Sequence, residues 1–103
     1  MTELQGFQRK YLRGVAHSLK PLVQVGKTGL SDSVLASIDQ GLTSHELIKV
    51  RFLDFKDQRQ ELTQQICQRL DAGLAGLIGH TAILYRPHSK PEKRRITLPE
   101  REG

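Results

Sequence analysis

One cysteine, Cys67, is all the chain holds among its 103 residues. No intramolecular disulfide can form, and a cysteine-rich zinc site is excluded. Tryptophan is absent, and the aromatic residues come to three Phe and two Tyr. None of these pairs as in an RNP motif, so the reading of bases by stacking is expected to be limited. Long apolar runs are missing too. No stretch approaches the roughly 18 apolar residues of a bilayer span. The opening MTELQGFQRKYL has no apolar core of a secretory signal. A cytoplasmic protein without membrane contact is the expectation. The histidines, His17, His45, His80 and His88, fall in separate segments with no HxxxH or HExxH spacing. Asp54 and Asp57 lie close together, but nothing marks them as an acid/base pair. No nucleophile elbow is present, and Cys67 beside Ile66 reads as a small buried residue. No metal, no cofactor and no enzymatic activity are expected.

Acidic residues are also scarce beside basic ones: 11 Asp and Glu face 16 Lys and Arg, for a net charge of +5. A chain of this size makes one domain with one modest core. A small basic domain attracts polyanions, nucleic acid first and an anionic membrane second.

The periodicities predict seven elements. Residues 3–19 read as a helix with Leu4, Phe7, Tyr11 and Val15 on one stripe and Arg9, Lys10, Arg13, His17 and Lys20 opposite. Pro21 stops it, and residues 22–25, Leu-Val-Gln-Val, read as a short strand. Ser31 caps a second helix with Val34, Leu35, Ile38 and Leu42 inward. In the strand 46–53, ELIKVRFL, residues Ile48, Val50 and Phe52 point one way, and Lys49 and Arg51 point the other with Leu47 and Leu53. Asp57 and Gln60 resemble a capping box for a third helix that buries Leu62, Ile66 and Leu70 and ends near Gly73. Residues 74–79 and 81–86 form a hairpin turning at Gly79-His80. The order α-β-α-β-α-β-β gives an α/β domain, a mixed four-stranded sheet packed on helices, with parallel neighbours from the two strand–helix–strand units. This domain is expected to span residues 1–87. Residues 88–103, rich in charge and proline, form a basic extended tail that docks at most through Ile96 and Leu98.

The segment VGKTGLSDSV, residues 25–34, poses the functional question. Gly-Lys-Thr ends a P-loop, but G-x-x-x-x-G-K-[ST] requires glycine at position 21, where Pro21 stands. The other reading is Gly-x-x-Gly. Two glycines let a sugar-phosphate backbone approach closely. The helix start behind them offers N–H groups and the positive end of a dipole. Lys27 adds charge and Thr28 a hydroxyl, much as in the loop of KH domains. The plain alternative is a turn with a solvated lysine. The basic helix face, with no acid interleaved between Arg9 and Lys20, and Lys49 and Arg51 on the sheet favour the phosphate reading.

HSLKPLVQVGKTGLSDSVLASIDQGL, SHELIKVRF and LIGHTAILYRP resemble the YhbY-like RNA-binding proteins, the stand-alone bacterial form of the CRM domain. The resemblance covers about Gln8 to Pro87, and RRITLP looks like the family's C-terminal end. The stretch FLDFKDQRQELTQQICQRLDA departs from the pattern. The resemblance implies a sheet similar to that of the C-terminal domain of translation initiation factor three. It implies RNA binding through Gly26, Lys27, Thr28 and Gly29, with Lys20 of LKP and His45 and Lys49 of HELIKV beside them. It also implies association with ribosomal RNA in precursors of the large ribosomal subunit. The expectation is a monomeric RNA-binding protein assisting ribosome assembly, with Arg9, Lys10, Arg13, His17 and Arg51 completing the basic surface. The alternative is a protein–protein adaptor whose basic face meets an acidic partner.

Overall fold

The computed structural model describes residues 2–100, apart from the side chain of Lys56; the last three residues of the tail lie outside the described residues. The first helix, α1 (Gly6–Ala16), is shorter than its periodicity predicts. It starts where the Gln8 side chain accepts the Gln5 N–H at 2.9 Å. It stops well before Pro21 because Lys49 takes over its end: the ammonium donates to the carbonyl of Leu19 at 2.9 Å and lies 3.5 Å from that of His17. A cation there also suits the negative end of the helix dipole.

The buried face of α1 is Leu12 and Ala16, not the stripe of Phe7, Tyr11 and Val15. Tyr11 and Val15 stay about two-fifths exposed, at 42 % and 39 %. The reason is the surface on which the helix lies. A Cβ on Gly76 would come within 2.8 Å of the Arg13 Cδ, so the Arg13 stem fills the space that glycine leaves. Arg13 therefore belongs to the packed flank, and its guanidinium donates to the Ala75 carbonyl at 2.9 Å.

Strands β1 (Pro21–Val25), β2 (Leu47–Phe52), β3 (Gly73–Ile78) and β4 (Thr81–Tyr85) form one sheet in the order β1-β2-β4-β3. β1 and β2 are parallel, linked by α2 (Asp32–His45), and β4 runs antiparallel to both of its neighbours. The second strand–helix–strand unit does not yield neighbours: β4 inserts between β2 and β3. Ser31 caps α2 by accepting the Val34 N–H at 3.2 Å. β2 alternates as its sequence predicts, with Ile48, Val50 and Phe52 in the core under α2 and α3 (Arg59–Leu70), and Leu47 in a second cluster on the other face. That second cluster joins Leu47 to Leu12 and Ala16 of α1, to Ala75, Ile83 and Tyr85, and to Leu4, Ile96 and Leu98. The sheet is thus sandwiched, with α2 and α3 on one side and α1 with the tail on the other.

The approach to α3 also differs from expectation. No Asp57–Gln60 box forms; a 3-10 turn at Lys56–Gln58 runs into the helix, whose N-cap Gln58 makes no side-chain bond. At the far end Asp71, not glycine, adopts the left-handed conformation, at φ 52°. Gly73 serves β3 instead, where a Cβ would lie 2.8 Å from the Thr2 carbonyl oxygen.

Glu46 and Arg86 hold the parts together. Glu46 joins α2 to β2 at φ 64° and is only 2 % exposed. Its carboxylate accepts the N–H groups of His88, Arg95 and Ile96 at 2.8, 2.6 and 3.0 Å. Burial works against its charge, but the three N–H groups prevail and hold its pKa below the ordinary carboxylate value. Arg86 donates to the Asp39 carboxylate at 2.7 Å, to Thr43 at 2.9 Å and to the Leu70 carbonyl at 2.8 Å.

Candidate nucleic-acid interface

The loop leaves β1 at Val25 and enters α2 at Ser31. Gly29 donates its N–H to the Gly26 carbonyl at 3.0 Å, closing a tight turn with Lys27 and Thr28 exposed at its tip. Gly29 has φ 67°, a conformation in which any L side chain is strained. It is also buried, and the Phe55 ring lies 3.6 Å from where a Cβ would stand. Phe55 itself is left-handed at φ 58°, held by the Asp54 carboxylate, which accepts its N–H at 2.7 Å. The approach to α3 thereby props the turn from below. Gly26 has open space around its α-carbon and no positive φ; it clears the way without being required by backbone geometry.

The other residues of interest fall into three places. Arg51 is nearest the loop, paired with Gln24 of β1 and Thr81 of β4. Thr81 pairs onward with Ile78, so Gln24, Arg51, Thr81 and Ile78 form one row across all four strands. Directly opposed residues share a face, and this row shares that of Lys49, on the α1 side. α1 covers the sheet only from Leu47 toward Ala75 and Tyr85; Gln24, Arg51 and Ile78 remain exposed, Ile78 to 61 %. Behind the row, Arg13, His17 and Lys49 line a hollow of about 380 Å³ with Thr81 and Ile83. Lys49 is half-buried, with its charge spent on the end of α1.

At the other end of β1, Lys20 and His45 flank a hollow of about 270 Å³ with Val15, Leu19 and Leu22. They are separated from Lys27 by about 16 Å of extended chain, at 3.3 Å per residue. Arg9 donates to the Leu4 carbonyl at 2.6 Å on the β3 flank of α1, and Lys10 points away from the sheet near Tyr11. Among the described residues, the side chains of Lys10, Lys20, Lys27 and Arg51 make no hydrogen bond or ion pair.

A family model described as the CRS1 / YhbY (CRM) domain matches residues 4–86. The chain belongs to that family. A Haemophilus influenzae protein named "RNA-binding protein" is 38 % identical over 102 residues, covering 98 % of this chain and all of that one. The "Probable RNA-binding protein YqeI" of Bacillus subtilis is 34 % identical over 97 residues, covering 93 % of this chain and 99 % of its own. The solution structure of a Staphylococcus aureus protein superposes with a TM-score of 0.78 at 34 % identity, covering 94 % of this chain and 100 % of that one. The resemblance carried by LKP, GxxGL, HELIKV and LYR is therefore shown, and with it the fold. Within this CRM domain, the sequence singles out Lys27 and Arg51 but misses what frames them. Phe55 lies in the stretch that departs from the family pattern. Gln24, Thr81 and Ile78 meet only through a strand order that the sequence does not display. Glu46 has one signal, a lone acid between a helix end and an apolar strand.

Proposed function

We propose that this protein binds RNA, laying the sugar-phosphate backbone over the Gly26–Gly29 turn and across the row from Gln24 to Ile78. The observation that supports this most is the coincidence of three features at one end of the sheet: an exposed turn propped by Phe55, unpaired Lys27 and Arg51, and a sheet face left open by α1. Close backbone approach, two free cations and the start of α2 are what phosphate binding needs. His17 and Arg13 extend the basic surface behind the row. Lys10, Lys20 and His45 serve a longer RNA that wraps beyond the loop, whereas Arg9 and Lys49 are spent on backbone carbonyls of this chain. The names of the relatives support RNA as the ligand. The family resemblance supports ribosomal RNA in a precursor of the large subunit, with the protein assisting assembly without catalysing a reaction.

A second reading, a protein–protein contact, has one observation in its favour. Tyr11, Val15, Leu19 and Leu22 are 39–50 % exposed along α1 and the start of β1, away from the loop. Sedimentation through a sucrose gradient separates the two. Co-migration with large-subunit precursors that is lost after ribonuclease supports the RNA reading; co-migration that survives ribonuclease supports the protein contact.

A further inference from the structure

Between the exit of β2 and the turn joining β3 to β4 lies a hollow of about 360 Å³, lined by Arg51, Phe52, Leu53, Asp54 and His80. Its apolar part is the buried Phe52 together with Leu53, which is 57 % exposed. Its polar rim is Arg51, Asp54 and His80. The Asp54 Oδ1 accepts the Phe55 N–H, while its second oxygen makes no hydrogen bond among the described residues. The Leu53 N–H donates to the Val25 carbonyl at 2.8 Å, so the hollow begins beside the residue that precedes Gly26. Adjacent strands lie about 4.8 Å apart, a step comparable to that from a nucleotide's phosphate to its base.

We propose that this hollow is a nucleobase subsite, taking an unpaired guanine whose phosphate lies on the Gly26–Gly29 turn. The inference rests on the RNA reading above and adds base selection to it. Leu53 offers apolar contact to the base, and the planar Arg51 and His80 side chains offer stacking surfaces in a chain poor in aromatics. The Asp54 carboxylate supplies the selection. Guanine alone presents two adjacent donors on its Watson–Crick edge, N1–H and the N2 amine. A carboxylate accepts both. Adenine and cytosine set an acceptor next to their amine, and uracil sets carbonyls on both sides of its single N–H. Each therefore turns a lone pair toward the Asp54 charge.

The test measures affinities for short single-stranded RNAs that differ at one central position: G, A, C, U, or inosine, which lacks the N2 amine. The parent protein is expected to bind the G oligomer about tenfold more tightly than the A, C and U oligomers, with inosine between. Asp54→Asn keeps an Oδ1 acceptor for Phe55 but replaces half the carboxylate with a donor. It should bring the affinities to within about twofold of one another, with the melting temperature unchanged. His80→Ala is the second variant, expected to weaken the G oligomer most. Lys27→Ala should weaken all oligomers by the same factor. No preference for G in the parent, or a preference that Asp54→Asn leaves intact, overturns the subsite. If Lys27→Ala still weakens a structured RNA in that case, the RNA surface stands without it. If Lys27→Ala changes nothing, the phosphate site and the subsite both fall.

Discussion

Lys27 and Glu46 carry opposite charges and opposite roles. Lys27 is exposed and makes no hydrogen bond or ion pair among the described residues, so Lys27→Ala should leave the melting temperature nearly unchanged. RNA affinity measured by titration should fall by about 1 kcal/mol, the loss of one charged phosphate contact. Gly29→Asp should do worse on both counts. It puts a side chain at φ 67° against Phe55 and a carboxylate beside the phosphates. Glu46 is buried and fully engaged. Glu46→Gln should cost about 2 kcal/mol of stability near neutral pH, since bonds to a charged acceptor become bonds to a neutral one. The folded-state pKa of Glu46 lies below its unfolded value. Its contribution is therefore fully present above the unfolded value of 4.5 and disappears as pH falls through the folded value. Denaturant titrations of parent and Glu46→Gln should accordingly converge in acid. Burial dominates at the Cys67 thiol: loss of solvation raises its pKa to about 11. It should resist thiol reagents at pH 8 in the folded protein and react on unfolding.

Elements explain which charges are free to work. α1 lies on its Leu12–Ala16 face, so Arg9 and Arg13 hold backbone carbonyls of the segment before it and of β3. Replacing both with Gln should lower stability by about 1 kcal/mol per lost bond. Replacing Lys27 and Arg51 instead should reduce the slope of log affinity against log salt by about 0.7 per contact on single strands, or about 0.9 on duplex. A larger slope change from the helix pair than from Lys27 and Arg51 would move the RNA surface onto α1. Much of this layout is legible in the sequence. Ser31 announces the cap of α2, ELIKVRFL announces both faces of β2, and Gly79-His80 announces the turn. The facing of α1 is not legible, because a helix with apolar residues at several azimuths takes its orientation from what it lies on. Here that is a glycine in a strand sixty residues later. The prop beneath Gly29 is hidden for a similar reason: Phe55 owes its place to a left-handed backbone that no periodicity reveals.

At the scale of the whole molecule, the sheet has a helical layer on each side only in part, and the gap in one layer is the proposed RNA surface. A filled triphosphate site at about 100 times Kd would add roughly 2.7 kcal/mol of stability. Magnesium with ATP or GTP should give no such rise in melting temperature, because Pro21 opens β1 where a P-loop needs glycine. Binding of a structured ribosomal RNA fragment should weaken steeply with salt. A melting-temperature rise with nucleotide and none with RNA would overturn the proposed function.

The position of β4 sets the order in which the molecule is completed. It is the last strand to be made and sits between β2 and β3. While the chain is being synthesised, β2 and β3 therefore wait with unpaired edges that only residues 81–85 can satisfy. The Glu46 carboxylate waits longer still, until the backbone at residues 95 and 96 arrives. A nascent chain stalled after Gly79 should be open to protease throughout, and one extended past Leu98 should resist it. Birth of the fold is thus a single late event, governed by the final quarter of the chain.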